Sequence, residues 1–420
     1  MADFFGFTGI FFVTLVTLLI TTRWPAVANI LYVALTARII VLLIGYYVVP
    51  LPDSTGDASS FEGEALHMFK TSTGFSNLLS QYPGPGSSFL VWIIALLYLF
   101  FGESKLMAQS LSLFFGMGFV FLGWFLVRKI WDEHAALKAG WVLALFPSLI
   151  LYSCLTMREA YISFFLVLAL YGVVDWVRVG KFKSIILALT GFIGAMFFHG
   201  GMFLGAIIFL GIVLLSNFRE TFRRSIFSSN YIKNLMISLF IIISFGSFFF
   251  GKFEIPKLGE FKDIIQVERL LTQTKNSTRG DASYPKWLII DSPVELIYKS
   301  PIRIVYFVFS PFPWNVKKPS HLLGMIDAFF YIYLVCLILL NQKAIWLDNA
   351  LIIILILLIV YLALFGTVVG NFGTGIRHRG KFIIMFLILA APWLPKFVML
   401  TKNNSYKKNF EKNKLEGYNK

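Results

Sequence analysis

Apolar residues run along this chain in blocks long enough to cross a membrane as helices, and polar residues are confined to the gaps between them. The blocks fall at Phe4–Ile20, Ile30–Val49, Met107–Val127, Ala135–Leu155, Glu159–Val177, Ser184–Phe198, Met202–Leu215, Leu235–Phe250, Leu322–Leu340, Leu347–Val368 and Phe382–Leu400. A helix of about 17 to 25 apolar residues covers the roughly 30 Å of hydrocarbon in a bilayer. The pattern therefore predicts an all-α polytopic membrane protein with about eleven transmembrane helices, in a single transmembrane domain over residues 1–400. The blocks at 184–198 and 202–215 are short and glycine-rich, so tilted or broken spans are expected there. Phe89–Phe101 is shorter still and predicts a re-entrant or interfacial helix. The first block lacks a small-residue cleavage site and a second follows at once, so it is expected to remain as a span.

The interruptions carry the candidate chemistry. Leu51–Ser88 gathers Asp53, Asp57, Glu62 and Glu64 and ends in Pro83-Gly84-Pro85-Gly86, and with the helix after it forms an acidic loop over 51–106. A long polar and aromatic segment covers 252–320. The Asn- and Lys-rich stretch 401–420 predicts a disordered, basic cytoplasmic tail that can touch anionic lipid.

Composition agrees with the pattern: 58% of residues are hydrophobic and 14% charged, against about 25% charged in soluble domains. A net charge of +15 would suit nucleic acid, but most of it sits in short loops and the tail, where it serves as an orientation signal, so no nucleic-acid partner is expected. Cys154 and Cys336 both lie in apolar blocks, so a disulfide framework is not indicated. With 51–88 outside and 89–101 not crossing, Arg23, Arg128, Lys129, Lys138, Arg178, Lys181, Lys183, Arg219, Arg223, Arg224, Lys233 and Lys343 all fall inside. Arg158 and the short segment Gly373–Lys381, with Arg377, His378, Arg379 and Lys381, remain outside against that bias. An anionic phosphate headgroup held by two-pronged arginine contacts would compensate them. So would ion pairs to Asp53, Glu62 or Glu64, and both alternatives place the acidic and basic loops on one face.

The order Asp57-Ala58, Phe61, Ala65, Tyr82-Pro83, then Leu99-Phe100-Phe101-Gly102-Glu103-Ser104, Arg128-Lys129, Leu145-Phe146-Pro147-Ser148, Tyr152-Ser153 and Arg158-Glu159 resembles the polytopic GT-C glycosyltransferases. It is similar in particular to bacterial relatives of the protein mannosyltransferase and aminoarabinose transferase group. Ser310-Pro311-Phe312-Pro313-Trp314 and Gly370-Asn371-Phe372-Gly373-Thr374 look like features of membrane proteins of bacterial surface-polysaccharide synthesis. The resemblance implies a GT-C-like fold in the bacterial inner membrane with an outward-facing site. It further implies a polyprenyl-phosphate-linked sugar donor and a glycan or lipid acceptor, with Asp57 as the acidic residue of the first outside loop. The chain departs from the family at Phe61, where an aromatic hydroxyl is common, and in lacking the soluble C-terminal domain of many members.

Such a transfer needs a carboxylate to take the acceptor's proton and fixed cations to receive the leaving phosphate. The candidates are Asp57, Glu64 and Glu159 for the first role, and Arg158, Arg377, His378, Arg379 and His199 for the second. Gaps between the helices would hold the isoprenoid chain. Each residue also has a structural alternative. Asp57 suits a helix N-cap, Glu62 and Glu64 a wet helix face, and Glu159 a first-turn position favoured by the helix dipole. His199 suits packing at a helix end, and Trp287 and Trp314 suit interfacial anchors or sugar platforms. Asp57 with Glu62 or Glu64 could hold a divalent metal ion through oxygen ligands, whereas no His or Cys spacing suits zinc. A repeat-unit polysaccharide polymerase would use the same parts. A flippase for lipid-linked sugars would instead line a path through its spans with charge, and Arg38 is the main interior ionisable residue of the first half.

Overall fold

The computed structural model describes residues 2–223, 267–278 and 280–396. The expected span at 235–250, Arg224, Lys233 and the basic tail 401–420 lie outside the described residues. The helices in chain order are α1 (Ala2–Arg23), α2 (Ala28–Tyr47), α3 (Ser59–Thr71), α4 (Phe75–Ser80), α5 (Ser87–Phe101), α6 (Lys105–Ile130), α7 (Glu133–Leu145), α8 (Pro147–Ser153), α9 (Glu159–Val179) and α10 (Phe182–Phe198). They continue with α11 (Phe203–Arg223), α12 (Val267–Ser277), α13 (Pro293–Phe309), α14 (Pro319–Leu340), α15 (Gln342–Trp346), α16 (Asn349–Val368), α17 (Phe372–Gly380) and α18 (Ile383–Ala390). Among the described residues there is no β-strand, only an isolated bridge between Ser283 and Asn371.

The chain is an all-helical membrane protein. Among the described residues, α1, α2, α6, α9, α14 and α16 are each long and apolar enough to cross, and α7 with α8 adds one bent span, giving up to 7. The expected larger number also counts the span at 235–250, outside the described residues, and the apolar stretches Phe182–Phe198, Gly200–Ser216 and Ile383–Trp393, which are shorter than the others. The block at 135–155 is not one straight helix either, because α7 and α8 meet at 59°. Pro147 causes the break: it has no N–H for the carbonyl of Leu143 and clashes with the preceding turn. Arg38 of α2 repairs it, donating to the carbonyls of Leu143 (3.1 Å) and Ala144 (2.8 Å) and to Ser153 Oγ (3.0 Å). A charge at this depth therefore satisfies backbone groups that lipid could not. Arg303 does the same where α16 ends, donating to the carbonyls of Thr367 (2.8 Å) and Val369 (3.0 Å).

α18 is buried on every side and forms the centre of the bundle. α9 and α10 approach most closely: a Cβ on Gly172 or Gly191 would lie 2.3 Å from the backbone nitrogen of Ala188 or Ala169. Small residues facing one another let two backbones pack without side chains between them.

The 26 residues of α6 cover about 39 Å. At its start Lys105 pairs with Glu62 (3.1 Å), while at its end Lys129 pairs with Asp175 and Arg128 with Glu133 (3.4 Å). Arg178, at the end of α9, joins Asp348 before α16. The basic clusters thus gather at one end of the bundle and the acidic segment at the other. α5 stays at the acidic end. Gly86 N, before α5, donates to Phe197 O (2.8 Å) at the end of α10, and Glu103, after α5, pairs with Lys70 of α3 (3.4 Å). Both termini of α5 therefore lie on one side, which is the geometry of a non-crossing helix.

Candidate active site

The basic segment 372–381, expected to be a loop, is largely the helix α17. Asn371 caps it, its side-chain oxygen accepting from Gly373 N (2.8 Å) and Thr374 N (3.3 Å). This cap offsets the low helix propensity of Gly373 and Gly375. Arg377, His378 and Arg379 then fall in the last turn, where the helix dipole favours positive charge. One turn of helix sends these three neighbours in different directions.

Arg377 faces the acidic segment, donating from Nη1 to Asp57 Oδ2 at 2.6 Å. It also lines a narrow cleft between α2, α6, α8, α9 and α17, together with Arg38, Tyr152 and Glu159, with a cavity of about 20 Å³, room for about one water. Burial alone would lower the Arg377 guanidinium, but Glu159, Asp57 and Tyr152 outweigh it and raise it above its ordinary value. Asp57 sits in a π-type turn, Ser54–Ala58, and caps no helix. That turn is pinned through Asp53, the only positive-φ residue besides glycine among the described residues (φ 63°), whose carboxylate accepts from Tyr152 OH at 2.9 Å. Asp53 tolerates the left-handed region better than most side chains.

Arg379 points away from the cleft and is fully buried. It donates to the carbonyls of Val308 (2.9 Å), Ser310 and Gly324 (2.9 Å), and stacks 5.2 Å above the Tyr331 ring. These bonds tie α17 to the end of α13 and the start of α14.

Behind Arg377 lies a second group. Lys381, 1% exposed, places Nζ 2.7 Å from His378 Nδ1 and 3.6 Å from Glu159 Oε1, near the Phe365 ring. Burial pushes Lys381 down to about 7, with Glu159 opposing the fall and Arg158 and Arg377 adding to it. Burial likewise lowers His378 far below its usual value, helped by Lys381, His199, Arg377 and Arg158. The His199 and His378 rings meet edge to face at 5.2 Å, and His199 Nδ1 accepts from Gly201 N at 3.2 Å. That nitrogen is therefore unprotonated. Arg158 donates to Phe198 O at 3.3 Å and stands 5.3 Å above the Phe61 ring.

Asp57, Glu159, Arg158, Arg377, His378 and His199 thus converge, while Arg379 and Glu64 face elsewhere. Glu64 is exposed on α3 and accepts from Ser60 Oγ at 2.9 Å. Glu62 accepts from Thr156 Oγ1 at 2.6 Å and pairs with Lys105, so it does not join Asp57. Among the described residues, no group of three or more His, Cys, Asp or Glu side chains converges in a way that could hold a metal ion. Lys381 and Tyr152 also join the site, although the sequence marks Lys381 only as one of the outside cations and names neither as a catalytic or phosphate-binding candidate. The signal for Lys381 was present in its position between a basic turn and a wholly apolar block.

Lys381 yields a test that needs no knowledge of the reaction. Its folded value lies below its unfolded one, so the wild-type protein should gain stability as pH rises above about 7, by up to about 1.4 kcal/mol per pH unit. Melting temperatures of the detergent-solubilised wild type and of Lys381→Met are expected to diverge in slope between pH 7 and 9. Parallel curves would mean that Lys381 keeps its proton when folded.

No protein-family profile matches the chain, and no curated protein matches it. Among solved structures it is similar to ArnT from Cupriavidus metallidurans in the apo state, at 12% identity over 79% of this chain and 71% of that one, with a TM-score of 0.27. The same protein bound to undecaprenyl phosphate matches at 14% identity over 80% and 77%, with a TM-score of 0.26. At these scores the overlay does not establish a shared fold.

Proposed function

We propose that this protein is a membrane glycosyltransferase that moves a sugar or glycan from a polyprenyl-phosphate-linked donor to an acceptor at the outer face of the membrane, in surface-polysaccharide or glycoconjugate synthesis. The observation that carries the proposal is the contact of Asp57 with Arg377 at a cleft between helices, a carboxylate and a guanidinium brought together from opposite parts of the chain. The donor's phosphate takes the place of Asp57 on Arg377, whose planar fork suits it. Asp57, half exposed, is then released toward the acceptor. The acceptor hydroxyl oxygen bonds to the anomeric carbon as the bond from that carbon to the phosphate oxygen breaks. Asp57 takes the hydroxyl proton, and the polyprenyl phosphate leaves with the electron pair, its charge met by Arg377. Arg158, His378, Lys381 and Glu159 set the field behind it. Transfer of single sugars and of assembled repeat units uses the same step.

The test is transfer of labelled sugar from synthetic polyprenyl-phosphate donors by the purified full chain in detergent. Transfer is the expected result, and its absence across donor sugars would count against the proposal. The outward orientation has its own check in a Cys336→Ser background. Cysteine at Ser59 should react with an impermeant thiol reagent in intact cells and cysteine at Lys343 should not. The reverse labelling would put the site inside.

A further inference from the structure

Away from the Arg377 cleft, α3 and α5 border a separate open groove of about 510 Å³, within the size range of small-molecule sites. Glu64, His67 and Thr71 line one wall, and Gln81 and Ser88 part of the other. Resting on the glycosyltransferase proposal, we infer that this groove is the acceptor subsite and that its ligand is a neutral, hydroxyl-rich glycan rather than a lipid.

The placement follows from helix geometry. Glu64, His67 and Thr71 are exposed along α3 and line the groove, and Asp57 sits in the turn that leads directly into that helix. The 13 residues of α3 cover about 20 Å, enough for several sugar rings that extend toward the turn holding Asp57.

The chemistry selects the class of ligand. Carboxylate, imidazole, amide and hydroxyl groups offer both donors and acceptors, as a polyol requires. The Gln81 amide is held in place by Asn77 Oδ1 (2.8 Å) and Ser72 Oγ (3.3 Å). Among the described residues no Lys or Arg lines the groove, and nearby Lys70 and Lys105 are paired with Glu103 and Glu62, so the wall offers an anionic ligand no cation. Met68 and Val91 are the large apolar lining groups among the described residues. Tyr82 and Phe89, next in the chain to Gln81 and Ser88, pack against Trp92 with centroids at 5.3 and 6.0 Å. They supply an aromatic flank on which sugar rings can stack.

Gly63 gives the test its handle, because a Cβ added there meets nothing within 4 Å. Gly63→Trp should fill the groove without clashing, and Gly63→Ala controls for folding. Saturation-transfer NMR on the full chain in detergent, with maltotetraose and triacetylchitotriose as probes, should saturate the sugar ring protons in the wild type and in Asp57→Asn. Gly63→Trp should abolish that signal and raise the acceptor KM by about tenfold or more. Thr71→Trp, also in the groove lining, replaces it if Gly63→Trp does not fold. If Gly63→Trp abolishes glycan binding while no variant transfers sugar, the groove stands and the transferase falls. Transfer with unchanged acceptor KM in Gly63→Trp keeps the transferase and overturns the groove. A wild type that binds neither probe also overturns it, as does saturation of an added phosphatidylglycerol headgroup in place of the glycans.

Discussion

Asp57→Asn is expected to lower sugar transfer by about 10²- to 10⁴-fold, the usual loss when a positioned proton acceptor is removed. The asparagine keeps the shape of the side chain and an oxygen for Arg377, so the π-type turn and its Tyr152 tether to Asp53 have no reason to change. The lost ion pair is half open to water on the Asp57 side, where such pairs contribute little to stability. Melting temperature and membrane insertion should therefore stay close to wild type while single-turnover transfer collapses. An asparagine variant with near-normal turnover would move the base to Glu159, the carboxylate that lines the cleft.

Arg377 and Arg379 are separated by one residue, and the same conservative change should affect them in opposite ways. Arg377→Lys loses the planar fork at the cleft, and a charge-assisted contact of this kind is worth roughly 1.5–3 kcal/mol, or about 10- to 150-fold in donor binding. Arg379→Lys instead strands buried carbonyls, because one ammonium cannot reach Val308, Ser310 and Gly324 together. Each buried group left unsatisfied costs about 1–3 kcal/mol, so this variant should melt well below wild type. Donor binding and melting temperature measured on both variants check the pattern. Unchanged donor binding with lowered stability in Arg377→Lys would make α17 a structural clasp and leave the phosphate site elsewhere.

Hydrophobic blocks announced the membrane helices because every residue facing lipid must be apolar, and that requirement is local in sequence. The bend at Pro147 and the short helix α18 were harder to foresee, whereas the shortness of the 184–198 block was visible. A block such as 135–155 keeps its hydropathy whether or not its helix is broken, and the repair by Arg38 comes from residues roughly one hundred positions away. At the site, the charge bias singled out 373–381 and implied one face with the acidic loop, where Arg377 meets Asp57. It could not separate Arg377 from Arg379, since both are arginines in the same turn and only the packing of α13 and α14 decides which one is enclosed. For Lys381 the charge was visible but its burial was not: a lysine in a basic stretch resembles a solvated one until Glu159, His378 and Phe365 close around it.

The repair of the Pro147 break also constrains how the chain is made. Arg38 alone in hydrocarbon costs about 2.5–3.5 kcal/mol or more, and the open carbonyls of Leu143 and Ala144 carry a comparable penalty. Neither α2 nor the α7–α8 pair is settled by itself, and each supplies what the other lacks. The ribosome emits Leu143 105 residues after Arg38, roughly 5–20 s later at ordinary synthesis rates. During that interval Arg38 lacks the partners it has in the folded protein, so α2, although apolar enough to cross by itself, can dock fully only after α7 and α8 have been made.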